Sequence, residues 1–262
     1  MHASEREDLI LSLLATKGFV AFPELEARVD GSPATIRRDL ERLAGEGRLV
    51  RLRGGIKRVD QGEQSALSPG FHLAGVPFHE NIGLNRDAKA VIGRAAAALC
   101  APGEGVMIDG GSTTLQMCPH LAGLGLSVLT NSLHIVAALI GQSGTQVLVP
   151  SGAVFPEQNI ILSVFGEDGM PKFHAPKLFM GAAAIGPAGL MQADPVLVAA
   201  ERRLIERADE IIVLVDASKF EAASGSVVCE LGEIDRVITD SHLPDNAAAA
   251  IKAAGVALTI VA

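Results

Sequence analysis

The string Asp109-Gly110-Gly111-Ser112-Thr113-Thr114 combines glycines with hydroxyl side chains directly after the apolar run Val106–Ile108. Glycines let backbone amides approach a ligand, hydroxyl groups donate hydrogen bonds, and the N-terminus of a helix favours an anion. The string therefore predicts a cradle for a phosphate group; the alternative is that Ser112 or Thr113 only caps the following helix. Its spacing fits neither the GxxxxGK[ST] pattern of nucleoside triphosphate sites nor the GxGxxG pattern of dinucleotide sites.

Two further strings place polar side chains where an apolar strand ends. Thr130-Asn131-Ser132 follows one predicted strand and offers either a helix cap or a ligand contact. Asp216-Ala217-Ser218-Lys219 follows Ile211–Val215, and its lysine could bind a phosphate group or pair with Asp216. Ligands of open α/β sheets bind beyond the carboxyl ends of the strands, so these strings mark a candidate binding site.

A second candidate surface is basic and lies near the start of the chain. The 262 residues carry a formal net charge of −8, yet residues 28–58 hold nine basic and four acidic side chains. This segment indicates a polyanionic partner, although a charge run alone fits a solvated helix face equally well. Aromatic residues make up only 3% of the chain, which excludes a single-stranded nucleic-acid platform built on stacked aromatics.

Three short helices are predicted to position the basic side chains. The third helix begins at Ser32-Pro33, which is a favourable pair for the N-cap and the first helical position. Ile36, Leu40 and Leu43 fall on one apolar stripe of this helix, and its arginines lie on the opposite face or the flanks.

A basic hairpin is predicted directly after the third helix. Arg48–Arg53 alternates basic and apolar residues, Gly54-Gly55 can supply the positive φ angles of a tight turn, and Ile56–Val59 returns. Arginines on an exposed helix can read guanine edges in the major groove, and a basic ribbon can hold the flanking phosphates. The segment therefore predicts a winged helix-turn-helix for double-stranded DNA.

The string Ser32-Pro33-Ala34-Thr35-Ile36-Arg37-Arg38-Asp39-Leu40, with Arg53-Gly54-Gly55 after it, resembles the winged helix-turn-helix of the DeoR family of bacterial repressors. In that family this helix is the recognition helix, and the resemblance implies that Thr35, Arg37 and Arg38 contact DNA. Asp39 is expected to orient an arginine, because phosphates repel a carboxylate. The residues expected at the DNA surface are Ser32, Thr35, Arg37, Arg38, Arg42, Arg51, Arg53 and Lys57.

Strands alternate with helices in the rest of the chain, which predicts an α/β domain with a doubly wound, mostly parallel sheet. We expect a winged-helix DNA-binding domain over residues 1–59, a linker over 60–77, and an effector and oligomerisation domain over 78–262. The strings at the predicted strand ends also resemble the DeoR-family sensor domain, which is similar in fold to ribose-5-phosphate isomerase and the CoA-transferases and senses phosphorylated sugars.

The resemblance to the sensor domain implies a set of effector-binding residues. They are Asp109, Gly111, Ser112, Thr113, Thr114, Asn131 and Lys219. We also expect Gly110, Ser132 and Gly152 at the effector site. Two positions depart from the family pattern: Ser151-Gly152 replaces a Gly-Gly pair, and Asn81 stands where an arginine is usual.

The sequence thus predicts a transcriptional repressor of a carbohydrate-utilisation operon, which a phosphorylated sugar releases from operator DNA. The alternative is a sugar-phosphate isomerase-like enzyme with an appended DNA-binding domain. We find no paired acidic cluster suited to isomerisation and no histidine pattern suited to a metal, so no catalytic residue, metal or cofactor is predicted.

The same features predict the compartment and the assembly. The three cysteines are far apart, the N-terminal residues are charged, and polar residues interrupt the apolar segments. These features predict a cytoplasmic protein that is neither exported nor membrane-bound. Paired half-sites on operator DNA further predict a homodimer or homotetramer.

Overall fold

The computed structural model describes residues 3–17, 19–45, 48–52, 55–58, 73–163, 169–222 and 224–262. The chain divides into two compact units, Met1–Gly70 and Phe71–Ala262. No helix among the described residues has both the length and the apolar character needed to cross a lipid bilayer.

The described part of the first unit combines three helices with a small antiparallel sheet of strand order β1-β3-β2. Its elements are α1 Ala3–Lys17, β1 Phe19–Ala21, α2 Phe22–Arg28, α3 Pro33–Gly45, β2 Leu49–Leu52 and β3 Gly55–Arg58. Thr35 N donates to Ser32 Oγ (3.2 Å), so Ser32 caps α3 as predicted. The predicted stripe Ile36, Leu40 and Leu43 is buried in the core of this unit.

Two details of the hairpin differ from the sequence prediction. Gly55 pairs with Leu52 as the first residue of β3, so it lies in the strand and not in the predicted turn pair Gly54-Gly55. Residues 53, 54 and 59–72 lie outside the described part of the chain, as does most of the predicted linker. In addition, β1 joins the sheet through Val20, which pairs with Ile56 in β3. A strand of three residues shows no periodicity that the sequence analysis could have used.

The second unit is built on a seven-stranded sheet whose pairs are all parallel. The strands of the unit are β4 Gly105–Ile108, β5 Ser127–Leu129, β6 Gln146–Leu148, β7 Ala153–Phe155, β8 Ile160–Leu162, β9 Ala175–Met180, β10 Ala184–Gly186, β11 Gly189–Gln192, β12 Ala208–Leu214, β13 Ser226–Cys229, β14 Arg236–Asp240 and β15 Ala257–Val261. Its α-helices are α4 Phe78–Asn81, α5 Arg86–Ala97, α6 Leu133–Leu139, α7 Pro195–Ile205 and α8 Asp245–Ala253, with 3₁₀ helices at Thr114–His120, Ala217–Phe220 and Leu231–Glu233.

The strand order is β15-β14-β12-β9-β4-β5-β6, and helices cover both faces. Alternate strand residues point to opposite faces: Val106 and Ile108 pack with α5 and α6, whereas Met107 packs in the cluster that contains α7 and α8 residues. This architecture confirms the predicted doubly wound α/β fold with an N-terminal winged helix. Three antiparallel strands, β10-β11-β13, and the β7–β8 hairpin are additions that the sequence analysis did not predict.

The strand order reverses between β4 and β9. The chain runs from β4 outward to β5 and β6, and then returns to β9 on the other side of β4 before it continues outward. At such a switch point the connections leave in opposite directions and open a crevice at the carboxyl ends of the strands. Asp109, the first residue after β4, lies at this point and donates its backbone N–H to Phe179 O (2.9 Å) in β9.

Candidate functional site

A cavity of about 130 Å³ opens at the carboxyl ends of β4, β9 and β12. The segments that follow these three strands form much of its wall, together with residues of α4 and α7. Seven of the ten predicted effector-binding residues line it. They are Asp109, Gly110, Gly111, Ser112, Thr113, Asn131 and Lys219.

Asn131 ties the loop after β4 to the loop after β5. Its Nδ2 donates to Asp109 Oδ1 (2.9 Å), and its Oδ1 accepts from Gly110 N (2.9 Å). A Cβ atom on Gly110 would lie 2.6 Å from Ile160 Cγ2, which is shorter than non-bonded carbon atoms approach each other. The close approach therefore favours glycine at this position, and the two hydrogen bonds of Asn131 hold the loop against its neighbour.

The cradle predicted from the glycine-rich string presents unpaired donors. The backbone N–H groups of Gly111, Ser112 and Thr113 are bonded to no acceptor among the described residues, and the hydroxyl groups of Ser112 and Thr113 also have no protein partner there. The 3₁₀ helix that begins at Thr114 has no side-chain cap, so Ser112 and Thr113 do not serve as caps. Successive N–H groups at a helix start suit an anion.

Lys219 adds a cation to the cavity. No ion pair joins it to Asp216 in the described structure. Asp216 Oδ1 accepts hydrogen bonds from Asn85 Nδ2 (2.8 Å) and from Ser218, and its Oδ2 has no partner there. Lys219 lines the cavity, and its ammonium group has no partner among the described residues. The group is therefore available to a ligand. Of the two alternatives left open by the sequence, the structure has the lysine at the cavity rather than paired.

Three predicted effector-binding residues do not line the cavity. Thr114 is buried and donates its hydroxyl to Asp109 O (2.8 Å) and Gly111 O (2.9 Å), so it shapes the loop from behind. Ser132 Oγ accepts from Ile135 N (3.3 Å) and caps α6. Gly152 lies beside β8, where a Cβ atom would sit 2.1 Å from a carbonyl oxygen, so its glycine is explained by packing.

Lys89 is a polar residue near the cavity that the sequence analysis missed. It lies on α5 with 1% of its surface exposed, and its Nζ donates to Asn81 O (2.6 Å) and Asn81 Oδ1 (3.2 Å). Burial lowers the pKa of Lys89 to about 8, with Asp216 opposing this shift and Lys219 adding to it. Its spacing to Ile92 and Ala96 places it on the buried stripe of α5, and that spacing was the available signal.

Glu201 is a second missed residue, and it adds a second carboxyl group to the cavity that Asp109 lines. It lies on the buried stripe of α7, lines the cavity, and is 3% exposed. Its Oε1 accepts from Gln192 Nε2 (2.6 Å), while its buried Oε2 has no partner in the described structure. Burial, and next the Asp109 carboxylate, raise the pKa of Glu201 well above its usual range. Burial also raises the pKa of Asp109.

The second candidate surface is the exposed face of α3. Arg37 and Arg38 are exposed, and the Arg37 guanidinium lies 5.1 Å from the centre of the Phe22 ring. Arg38 has no ion pair or hydrogen bond within the described part of the chain. Arg42 differs, because it forms an ion pair with Glu7 of α1.

The remaining predicted DNA-contacting residues have the following positions. Ser32 is exposed and Thr35 half-buried at the start of α3, and their hydroxyl oxygens lie 2.8 Å apart. Asp39 is buried and accepts from Arg6 Nε (2.9 Å), so its partner is an arginine of α1. Arg51 and Lys57 lie in β2 and β3, but their side chains, like all of Arg53, lie outside the described part of the structure.

Comparison with solved structures finds only weak structural similarity. Ribose 5-phosphate isomerase A from Methanocaldococcus jannaschii is 17% identical with a TM-score of 0.38, and the match covers 52% of this chain and 55% of that structure. The probable sor operon regulator from Shigella flexneri is 10% identical with a TM-score of 0.35, covering 52% of this chain and 78% of that one. The match therefore spans only about half of the isomerase.

Sequence comparison is decisive. Residues 6–62 match the DeoR-like helix-turn-helix domain, and residues 84–241 match the DeoR C-terminal sensor domain. The HTH-type transcriptional regulators UlaR of Shigella dysenteriae serotype 1 (strain Sd197) and Escherichia coli (strain K12 / DH10B) are each 28% identical over 258 residues, covering 98% of this chain and 99% of theirs. These relatives are named as regulators, which points to a regulator rather than an enzyme. The chain belongs to the DeoR family of transcriptional regulators.

Proposed function

We propose that this regulator is a repressor of a carbohydrate-utilisation operon, and that a phosphorylated sugar bound in the cavity releases it from operator DNA. The observation that carries the proposal is the cavity wall, where unpaired N–H groups of the loop after β4 and the Lys219 ammonium are available to one small anion. In this proposal residues 1–59 bind DNA, residues 60–77 link the domains, and residues 78–262 bind the effector and form the oligomer.

The phosphate group of the effector binds at Gly111, Ser112 and Thr113. Three backbone N–H groups and two hydroxyl groups can satisfy phosphate oxygens, and Lys219 supplies a full positive charge. The sugar hydroxyls then lie near Asn131 and Asp109, whose polar atoms are held in place by their mutual hydrogen bond. This division explains why a loop with no NTP-binding lysine motif still suits an anion.

Operator DNA binds to the exposed face of α3 and to the basic hairpin formed by β2 and β3. Arg37 and Arg38 enter the major groove with Thr35 and Ser32 near the helix start, and Arg42, Arg51, Arg53 and Lys57 contact the flanking phosphates. A homodimer or homotetramer places two such helices on half-sites separated by whole helical turns of DNA. A bacterial protein with this role works in the cytoplasm, where the chromosome is.

Release follows from thermodynamic coupling between the two sites. The effector favours an arrangement of the oligomer in which the recognition helices no longer match the half-sites. Couplings of this kind are typically about 1–3 kcal/mol, or roughly 5–150-fold in affinity. Because coupling is reciprocal, operator DNA must weaken effector binding by the same factor that the effector weakens operator binding.

The proposal is tested with the full-length protein and a labelled promoter fragment in a fluorescence anisotropy assay. One member of a panel of pentose and hexose phosphates is expected to reduce DNA affinity, while inorganic phosphate and the unphosphorylated sugar have little effect. Lys219→Ala should retain DNA binding and lose this response, whereas Lys252→Ala, an exposed lysine of α8, should behave as wild type. Equal effector affinity with and without operator DNA would refute the coupling.

The carboxyl pair Asp109 and Glu201 is the feature that favours the alternative function. Aldose–ketose isomerisation requires a carboxylate base near C1 and C2 of the sugar, and these two side chains interact within the cavity. The same panel is therefore incubated with the purified protein, and interconversion of aldose and ketose phosphates is followed by NMR. No turnover is expected; turnover that is lost in Glu201→Gln would establish the enzyme instead.

A further inference from the structure

We propose that Glu201 is an effector-recognition residue, whose Oε2 donates a hydrogen bond to a hydroxyl or carbonyl oxygen of the sugar rather than to its phosphate group. This inference rests on the proposed sugar-phosphate effector and adds a contact that specifies the sugar. It assigns a ligand-binding role to α7, which contributed no residue to the site expected from the sequence.

The two carboxyl oxygens of Glu201 differ in their surroundings. Oε1 is occupied, since it accepts the hydrogen bond from Gln192 Nε2 at 2.6 Å. Oε2 is buried and has no partner among the described residues, although buried polar atoms almost always have one. Both Glu201 and Gln192 line the cavity, so a ligand in that cavity is the natural partner for Oε2.

Burial and the Asp109 carboxylate raise the pKa of Glu201, which favours its protonated form, and a protonated Oε2 can donate a hydrogen bond. The titratable group with the strongest effect on it is Asp109, from the loop after β4, and this carboxylate adds to burial in raising the pKa of Glu201. Cys229 of β13 is neutral because burial raises the pKa of its thiol to about 11, and Arg202 of the same helix is paired with Glu233. Lys219 lines the same cavity. Because Oε1 accepts from Gln192, the protonated form of Glu201 carries its proton on Oε2.

The phosphate group is not the expected partner of this donor. The neighbouring Asp109 carboxylate repels a phosphate dianion, whereas the N–H groups of Gly111–Thr113 and the Lys219 ammonium attract it. The carboxyl groups of Asp109 and Glu201 therefore contact the uncharged part of the ligand. A site that donates a hydrogen bond to one ligand oxygen discriminates strongly against an analogue that lacks this oxygen, because the buried donor then remains unpaired.

The test is isothermal titration calorimetry of the full-length protein with two probes, inorganic phosphate and the sugar phosphate that gives the largest response in the DNA-release assay. Glu201→Met removes the donor and keeps the volume, and Glu201→Gln keeps a donor that cannot ionise. Glu206→Gln, at the end of the same helix and outside the cavity wall, is the matched control.

Glu201→Met should bind the sugar phosphate at least tenfold more weakly, with unchanged affinity for inorganic phosphate. Glu201→Gln should bind it within about threefold of wild type. Wild-type affinity should fall once the pH rises through the Glu201 pKa, because only the protonated form donates, and the Glu201→Gln affinity should not show this fall. If Glu201→Met does not fold in a dye-based thermal shift assay, the pH profiles of wild type and Glu201→Gln provide the test.

Several results would overturn the proposal. They are wild-type affinity in Glu201→Met, equal loss for both probes, or identical pH profiles in wild type and Glu201→Gln. If wild type binds a sugar phosphate and the variants do not differ, only the role of Glu201 fails. If wild type binds no sugar phosphate, the proposed effector fails, and the role of Glu201 fails with it.

Discussion

The exposed face of α3 and the cavity of the sensor unit use charge in opposite ways. The charged groups of Arg37 and Arg38 are exposed to solvent, and both residues lie on the single helix α3. In the cavity region Lys89, Asp109 and Glu201 are almost fully buried and come from three separate segments. An exposed charge is surrounded by water and screened by salt, whereas the interactions of a buried charge with the groups around it are screened much less.

This difference predicts how each surface recognises its ligand. Exposed guanidinium groups remain hydrated until DNA arrives, and their contribution to binding depends on counterion release and therefore on salt. The cavity instead holds its polar groups in position beforehand: the Asn131 amide bonds to both Asp109 and Gly110. Preorganised groups lose little entropy on binding, so the cavity suits a small ligand.

The largest expected effect is that of Gly110→Ala, which tests whether the cavity is preorganised. The new Cβ atom would lie 2.6 Å from Ile160 Cγ2 and 3.1 Å from Asn131 Oδ1, so the loop must shift. Overpacking of this kind costs about 1–3 kcal/mol of stability, and we expect sugar-phosphate binding to fall below detection in calorimetry.

Gly141→Ala is the matched control for this substitution, because a Cβ atom there meets no neighbour within 4 Å. Operator binding should be nearly unchanged in both variants, since the substitution lies in the other unit. Normal effector affinity in Gly110→Ala would show that the loop adapts to the ligand and would remove the contrast with α3.

Arg38→Ala tests the exposed face of α3, and we expect it to lower operator affinity about 10–100-fold. A guanidinium that reads a base edge contributes about 1–3 kcal/mol of discrimination, and Arg38 has no described protein partner that would hold it back. Fluorescence anisotropy at several salt concentrations measures both the loss and the salt dependence.

Two arginines serve as comparisons for Arg38. Arg42→Ala should have a smaller effect on operator affinity, because the ion pair with Glu7 already engages its guanidinium. Arg94→Ala, on the exposed side of α5, should have none. A larger loss for Arg42→Ala than for Arg38→Ala would contradict the assignment of these two residues on α3.

The same contrast explains what the sequence could predict. The cap at Ser32, the stripe Ile36, Leu40 and Leu43, and the strands of the parallel sheet all follow from local spacing, and the structure contains them. The glycine-rich loop was also recognisable, since its residues are adjacent in the chain. Local spacing does not determine the positions of the β7–β8 hairpin or the strands β10, β11 and β13.

Residues that are brought together by tertiary packing were missed. Lys89 and Glu201 each lie on an otherwise apolar helical stripe, and only the packed fold shows that both stripes end near one cavity. Conversely, Thr114, Ser132 and Gly152 belong to strings of the right composition but point to other contacts, because adjacent residues cannot all face one ligand. A charged residue on a buried helical stripe is the signal that would have found the missing pair.

The burial of Lys89 predicts a pH dependence of stability that exposed arginines do not have. Its pKa is lowered from 10.5 to about 8, so below pH 8 the charged group is destabilising in the folded chain. Between these two values the folded chain loses the proton while the unfolded chain keeps it, so stability rises with pH. As the pH rises through this interval, the free energy of unfolding of wild type should therefore increase by about 1–3 kcal/mol relative to that of Lys89→Met.

Urea denaturation of both proteins, followed by far-UV circular dichroism at about pH 7 and about pH 9.5, measures this difference. Other titrating groups affect wild type and variant alike, so only the difference between the two proteins is interpreted. A constant difference across this range would mean that the Lys89 ammonium remains charged, and that the contrast between buried and exposed charge is weaker than the structure indicates.

The smallest expected effect concerns Ser32, which caps the start of α3. Ser32→Ala removes the acceptor for Thr35 N and should cost about 1 kcal/mol of helix stability. Operator affinity should fall only a few-fold, because the helix face remains intact and the loss comes from fraying at Thr35. Ser12→Ala is the control, since Ser12 lies on α1 and bonds to Leu9 O rather than capping a helix. If Ser32→Ala instead reduces operator affinity as much as Arg38→Ala, then the start of α3 contributes as much to DNA binding as the exposed arginines do, and the ranking of these positions is wrong.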